Sequence, residues 1–548
     1  MSNAMSTSLS GLLAFKRGID VHSQNVANVN TAGYVRRTID LETRSGNGEA
    51  GQIVGSGVAV AGVRRLVNEY LIDQARTARS AAGRAEVLAE KSYQVNSLIS
   101  PDGASLQDSL VNLRDAFDAL ASQPTSSFAR DTVMTRLSTT ISQFQELDSR
   151  LQAFDQEISG RLVGEIDSIN GIVQQIATLN RQISASYSSA AGGNPSLMDA
   201  RDRSLDQLSA KIGVRIRQGD DGTVSLSLMN GQSLLTGVEP VTLVAVRDPY
   251  APDRTRVGLK SDSGVQELDN QFGGGALAGL LDTRSQLIDP TRNELGRVAV
   301  GLASLLNTQN MSGVTLTGAT GGDLLTVGNP LAIAHALNTS TASAVATIID
   351  SSELTGQDYL LERNGGSWTV RRTGTLEVLG TGGAGTPADP LQFEGLSLVV
   401  SGTASSGDRF LIRPTRDAVA GLELAFSNAS AIAAAKAGSP PGSGDNTNAL
   451  ALAAVFDQAT FDESQRSVRG ILERLAGRVA STADSSQLSL EVQTLSADEA
   501  QADRDNMSAV NLDEEAAELL RYQQAYQAAA QVMRTSNELF DTLLAAVR

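Results

Sequence analysis

Chemistry in this chain would have to come from a few places. His22 and His335 are its only imidazoles, and it has no cysteine. A nucleophile with its base, or a metal site, needs such groups in convergent sets. His22 falls on an apolar helical stripe, and His335 lies in an Ala/Leu-rich stretch with no acidic or basic neighbour. Both therefore read as structural, and no catalytic residue, metal ligand or cofactor is expected. Gly46-x-Gly48-x-x-Gly51 has the spacing of a dinucleotide-binding loop, but that motif must follow a strand and open a helix. Its flanks, Thr38–Leu41 and Gly57–Val63, both alternate like strands, so it reads as a hairpin tip. Asp513-Glu514-Glu515 is an acidic cluster where an apolar-periodic helix begins. Asn511 as N-cap with Glu514 at the third helical position fits a capping box, and acids there complement the helix dipole. Gln524, Gln527, Gln531, Arg534 and Glu538 share one side of that helix and read as a solvated face.

The elements that would position these groups are mostly long helices. Near the start, Leu12, Ile19 and Val26 repeat every seventh residue, with Phe15, His22 and Val29 three further on. At the finish, Leu512, Leu519, Tyr526, Met533, Phe540 and Val547 repeat every seventh residue. Two apolar positions in seven make a coiled-coil seam, narrower than the face a helix turns to a globular core. Seams at both ends predict assembly. An isolated two-helix pair is marginal in water, so both ends are expected to order mainly against neighbouring subunits.

Between the seams, Asn25–Tyr34 carries the Asn, Thr and Gly that stop helices, and a strand pair follows over Thr38–Leu41 and Gly57–Val63. Helices are predicted over Val67–Ile99, Leu106–Ala121 and Phe128–Ser186. The last holds Leu162, Ile169, Ile176 and Ile183 at one heptad position, with Ile166 and Val173 at the other. It would make a rod of roughly 80 Å, open to bending or breaking at Gly160, Gly164 and Gly171. Beyond Pro195 the pattern turns to hairpins at Val214–Leu228 and Asn230-Gly231. Leu277–Leu306 returns to helix. Ser312–Asp445 is Gly/Thr/Ser/Ala-rich, with strands at Tyr359–Leu361, Trp368–Val370, Leu396–Val400 and Phe410–Ile412. Ser439–Gly444 reads as a linker, and helix resumes from about Phe461. The fold class is mixed α and β, multidomain and elongated, with the two terminal helices packed together and β-rich segments inserted between them.

The chain has 548 residues and a net charge of −17. That charge argues against nucleic acid as a partner, which needs a basic stripe. No apolar run reaches the ~20 residues of a membrane helix. Met1–Ala4 reads as a cloning scar before Met5, and Leu9–Val29 lacks the apolar core of a signal peptide. The chain is expected to be cytosolic, or exported by a route that ignores such signals.

Asn25-x-x-Asn28-x-Asn30-Thr31-x-Gly33-Tyr34 resembles the N-terminal signature of bacterial flagellar rod, hook and hook-associated proteins. The run Val510–Ala528 is similar to the hook-associated protein 1, or FlgK, family in particular. Met198-Asp199-x-Arg201-Asp202-x-x-Leu205-Asp206 and Gly407-Asp408-x-Phe410-Leu411-Ile412-x-Pro414 fit the same family. One segment departs from it. Asn307-x-x-Asn310-x-x-Gly313-x-Thr315-Leu316-x-Gly318 has Asn310 and Thr315 where the family pattern has His and Asp. The hydrogen bonding of that turn is thereby in question.

The resemblance implies a structural adaptor, not an enzyme. It would leave the cell unfolded through the flagellar type III path and polymerise at the hook tip to form the hook–filament junction. Implied partners are copies of itself, the hook protein, a second hook-associated junction protein and a cytosolic export chaperone at the C-terminal helix, with neither nucleic acid nor membrane. The implied layout is a scar at 1–4, an inner-core helix at 5–35, a strand pair at 36–65 and a helical rod at 66–200. A β-rich insert at 201–275, a helical return at 276–310 and outer β-rich domains at 311–445 follow. The rod resumes at 446–505, and 506–548 forms the second inner-core helix. Gln524, Gln527 and Gln531 would face the export channel, whose transiting chain finds little to hold on uncharged amides. A hook or rod subunit is the alternative within the superfamily, disfavoured by Leu512–Ala528. An enzyme in the β-rich insert would need convergent acids, bases or nucleophiles that are not visible, and a surface adhesin does not account for the Asn-rich motif.

Overall fold

In the computed structural model, described for residues 2–31, 33–44, 55–101, 105–189, 193–261, 264–268, 272–381 and 384–547, the two ends of the chain lie side by side. The α-helices among these residues are α1 Ser2–Ala27, α2 Glu69–Ile99, α3 Leu106–Ser122, α4 Ser127–Ser189, α5 Pro195–Lys211, α6 Gly275–Asp282, α7 Asp289–Met311, α8 Thr447–Ala454, α9 Val468–Ser508 and α10 Leu512–Val547. Local chemistry fixes many of their starts. The Asn68 side chain accepts the N–H groups of Tyr70 and Leu71, Ser105 and Asp108 form a capping box, and Pro195 opens α5 behind the cap Asn194.

α4 is continuous over 63 residues, about 95 Å at 1.5 Å per residue. Gly160, Gly164 and Gly171 do not break it. A Cβ at any of them would meet nothing within 4 Å, while Leu162, Ile166, Ile169, Val173, Ile176 and Ile183 are buried along its other side. Packing along the whole length outweighs the glycines' lower helix propensity. α2 lies along α9, and α3, α5 and α6 close the body around α4.

The first β-rich segment does not stand apart from this body. Strands Val214–Gln218, Val224–Leu228, Ser233–Thr236 and Glu239–Pro240 form one antiparallel sheet, and Thr242–Arg247, Thr255–Ser261 and Gly264–Leu268 another. Their buried Leu226, Leu235, Leu243 and Val257 join the same apolar core as Ile176 and Leu205. The second segment has its own core, around Trp368, Tyr359, Phe410 and Leu396. Its main sheet has the spatial order Leu331–Ala334, Arg409–Arg413, Tyr359–Asn364, Ser367–Arg372, Val378–Thr381.

Two expectations from sequence differ from the structure, and one open question is answered by it. Helix continues as α5 to Lys211, because Asn194 and Pro195 start a new helix rather than end one. The chain from Phe461 is a turn, with Asp462, Glu463 and Ser464 all at positive φ, and α9 begins only at Val468, capped by Ser467. The C-terminal helical region is preceded by the short α8. The turn around Asn310 is fully satisfied without the family's His. Asn310 is buried, donates to the carbonyl of Gly322 at 2.7 Å and accepts the N–H of Ala433 at 2.7 Å.

Candidate functional site

α1 and α10 run antiparallel, with Gly18 beside Tyr522 and Gly11 beside Ala529. The line of closest contact on α1 is Gly11, Ala14, Gly18, Val21 and Asn25, all buried. On α10 it passes through Glu515, Tyr522 and Ala529. Small residues let the backbones approach. A Cβ on Gly18 would sit 2.6 Å from ring atoms of Tyr522, whose ring centroid is 6.4 Å from that of Phe15 and 5.3 Å from that of His22.

The heptads read from sequence fall beside this line. Leu12, Ile19 and Val26 stand roughly a quarter turn to one side of it and are half-buried, as are Leu519 and Met533. Leu512, Tyr526 and Phe540 are exposed, and the side chain of Val547 lies outside the described residues. The intrachain contact selects small and polar residues, and it leaves much of the large apolar set at its edge or in solvent. Gln524, Gln527 and Gln531 are exposed on the side of α10 away from α1.

Glu515 is the polar centre of the joint. Its side chain is fully buried. Oε2 accepts from His22 Nδ1 at 2.6 Å and from Asn25 Nδ2 at 2.9 Å, and Oε1 accepts from Arg36 Nε at 2.7 Å. Burial alone would push this carboxyl up, but the donors Asn25, His22 and Arg36 together hold it below the usual glutamate range. The capping-box reading of this cluster is corrected here. Asn511 does cap, accepting the Asp513 N–H at 3.0 Å, but Glu514 reaches Arg36 at 2.6 Å instead of closing the box. Glu515 turns inward to residues of the other end of the chain, which no local pattern reveals.

Asn25 extends the joint to the strand pair. It donates to the carbonyl of Arg37 at 2.9 Å and accepts the Arg37 N–H at 3.1 Å, pairing with that residue as a neighbouring strand would. Tyr34 Oη donates to Asn25 Oδ1 at 2.9 Å, and burial raises the Tyr34 pKa. The Arg37 guanidinium lies 4.7 Å from the Tyr34 ring centroid. The loop between them is held locally: Thr31 Oγ1 donates to Asn28 Oδ1 at 3.2 Å, and Asn30 is exposed. Gly33, at φ +73°, packs so closely on Arg203 that a Cβ would lie 2.7 Å from its Cγ. Ala32 and the Gly46, Gly48, Gly51 spacing lie outside the described residues.

A ladder of charges then ties the strand pair to the helical body. The strands are β1 Arg37–Thr43 and β2 Val58–Arg65, paired antiparallel. Asp199, Asp202 and Asp206 share one face of α5 at spacings of three and four. Asp199 takes Arg37 at 2.9 Å and Arg65 at 2.9 Å, Asp202 takes Arg65 and Arg76, and Asp206 takes Arg76 at 2.8 Å and Arg504 at 2.8 Å. Burial pushes the Asp199 carboxyl up despite Arg65 and Arg37. At Asp202 the burial effect is overcome by Arg65, Arg76 and Arg201, which hold it low. Four basic residues from β1, β2, α2 and α9 thus converge on one helix face, and Arg36 N–H also donates to the carbonyl of Ser508 at 3.0 Å.

The arrangement positions helices. Among the described residues no three His, Asp or Glu side chains are placed to hold a metal ion. His335 accepts the Leu337 N–H at 3.1 Å and stacks edge-on with Tyr250.

Comparison with known proteins follows the same segments. The flagellar hook-associated protein FlgK helical domain matches residues 92–325, the D2-like domain of flagellar hook-associated protein 1 matches 333–414, and the flagellar basal body rod FlgEFG protein C-terminal region matches 503–546. Flagellar hook-associated protein 1 of Salmonella typhimurium is 30% identical over 560 residues, spanning 99% of this chain and 100% of that protein. The Escherichia coli protein of the same name is 29% identical over 549 residues, spanning 99% and 100%. The solved structure of the flagellar hook junction protein FlgK from Burkholderia pseudomallei has a TM-score of 0.73 at 24% identity, covering 79% of this chain and 99% of that one.

Proposed function

This chain belongs to the flagellar hook-associated protein 1 family, and we propose that it is the structural adaptor that polymerises at the distal end of the hook and forms the hook–filament junction. The observation that carries this reading is the end-to-end likeness to hook-associated protein 1 of Salmonella typhimurium. A structural part is also what the terminal joint is suited to be. It is a set of buried pairings between residues nearly five hundred positions apart.

The surface of the terminal pair supports self-assembly. Leu9 and Leu13 on α1, with Leu512, Tyr526, Val532, Leu539 and Phe540 on α10, are large apolar side chains left exposed. Such patches mark interaction surfaces. The edge residues Leu12, Ile19, Val26, Leu519 and Met533 extend this surface. We infer that neighbouring copies cover it in the junction, with the hook protein on one side and a second hook-associated junction protein on the other. Before export a cytosolic chaperone would shield α10, and the unfolded chain would travel the flagellar type III path to its extracellular place. In the assembled layer Gln524, Gln527 and Gln531 would face the export channel, where amides present no charge to the passing chain.

Electron microscopy of a strain lacking the gene tests the reading. Hooks without filaments, and flagellin lost to the medium, are the expected result. Normal filaments would overturn it.

A further inference from the structure

A cavity of about 400 Å³, lined by none of the residues of the terminal joint, lies where three units meet. Asp289 and Asn293 of α7 form its floor on the helical body. Tyr250, Arg254 and Arg256 reach it from the first β segment, and Leu411, Arg413 and Arg416 from the outer one. Its wall is rich in arginine, and the pairing of those arginines is uneven. Arg254 is satisfied by Asp155 at 2.6 Å and Asp289 at 2.6 Å. Arg416 is satisfied by Asp289 at 3.0 Å, Asp358 at 2.5 Å and Asn293 at 2.8 Å. These contacts commit both Asp289 and Asp358.

Arg413 is left over. Its backbone pairs with Leu331 in the sheet, but among the described residues no carboxylate lies within ion-pair distance of its guanidinium, and its buried Nε has no hydrogen-bond partner. Burial and the neighbouring Arg416 push its pKa down, and the more distant Asp358 and Asp289 offset this only in part. Tyr250 lines the same space, and burial pushes its hydroxyl up to about 12, so it stays protonated and able to donate. A half-buried guanidinium without an acceptor is costly. Its planar fork is complementary to the paired oxygens of a phosphate or carboxylate.

We propose that this cavity binds a small oxyanion of the phosphate or carboxylate class through Arg413. The bound anion would be a cross-link. It would join the strand Arg409–Arg413 of the outer sheet to the Tyr250 loop and α7, fixing the outer unit against the helical body.

The test uses the full-length protein, with inorganic phosphate titrated by calorimetry and thermal unfolding at ionic strength held constant with chloride. Saturable binding and a rise in melting temperature are expected. Acetate and succinate form parallel arms: saturation by phosphate assigns a phosphate site and saturation by a carboxylate assigns a carboxylate site, and dependence on Arg413 sustains the proposal in either case. Arg413→Met should weaken binding about tenfold or more. In chloride buffer free of phosphate and carboxylates it should melt no lower than the parent, since it removes a half-buried charge with no hydrogen-bonded acceptor. Arg413→Lys should bind with intermediate affinity. Should Arg413→Met fail to fold, amide exchange of 248–256 and 409–413 in the parent, with and without anion, gives the answer. No saturable binding of any of the three anions, no slowing of exchange in those segments, or equal binding by Arg413→Met would each overturn the proposal.

Discussion

His22 Nδ1 lies 2.6 Å from Glu515 Oε2, across 493 positions of chain, with both side chains buried. The carboxylate is the acceptor, so the imidazole donates. One hydrogen bond therefore joins the first helix to the last, and Asn25 and Arg36 add two more to the same carboxylate. The pairing of the chain's ends is specified by buried polar groups set into a narrow apolar contact, and the Glu515 carboxylate accepts from all three donors.

Glu515→Gln keeps the shape of the side chain and removes its charge. It turns one acceptor oxygen into a donor facing His22, Asn25 or Arg36. The expected cost is about 1–3 kcal/mol, and Glu515→Ala, which leaves the buried His22 and Asn25 without their acceptor while Arg36 keeps Glu514, should cost more, about 1–3 kcal/mol for each orphaned group. Amide exchange should speed up in α1 and α10 of the full-length protein and stay unchanged in the centre of α4. Equal exchange in α4 and α10 would mean that Glu515 supports the whole body rather than the joint.

The pH dependence has a definite sign. The folded pKa of Glu515 is depressed, because its three donors outweigh burial. Its contribution is therefore fully present above the unfolded glutamate value of about 4.3 and is lost as pH falls through the depressed folded value. Exchange of α1 and α10, corrected for intrinsic rates, should accelerate only below about pH 4. In Glu515→Gln that acid-dependent step should vanish while the acid response of the Asp202 ladder remains.

Gly18→Ala separates contact from helix propensity. In an isolated helix alanine is better than glycine by about 1 kcal/mol. Here the new methyl would meet the Tyr522 ring at 2.6 Å, and the ring is wedged between Phe15 and His22. Net destabilisation of the α1–α10 pair by about 1–3 kcal/mol is expected. Adding Tyr522→Ala should recover part of it, since the obstacle is then gone. A stabilising Gly18→Ala would show that the two helices do not approach this closely in solution.

Much of the architecture could be read from residue patterns because it depends on local periodicity. The buried row of α4, the strand pair after α1 and the strands at Tyr359–Leu361 and Trp368–Val370 all follow from spacing. The joint was less legible for two physical reasons. Pattern reading assigns the inside of a helix pair to its largest apolar residues. In α1 the inside belongs to Gly11, Ala14 and Gly18, which permit close approach. Glu515 also looks like an ordinary helix-start acid, since its partners His22, Asn25 and Arg36 lie at the other end of the chain. The aspartates of α5 were visible as a spaced set, but their arginines come from four separate elements. Asn310 shows the converse. A departure from a family pattern was visible, and only the fold shows that the amide satisfies the same turn.

Phe540→Glu tests what the exposed apolar set is for. Phe540 is 53% exposed and lies beyond the α1 contact, so the substitution breaks no pairing within the chain. Monomer stability should change by no more than about 0.5 kcal/mol, as for other surface positions. Under the proposed assembly a neighbouring copy covers the same position in the junction layer, and a buried carboxylate with no partner there would cost several kcal/mol for each subunit. A closed layer repeats that cost at every contact, so assembly should fail outright rather than weaken. Cells carrying the variant should export it, bear hooks without filaments and release flagellin into the medium. The purified protein should melt like the parent. Filaments of normal number and length on such cells would remove Phe540 from the subunit interface and leave its exposure without a role in assembly.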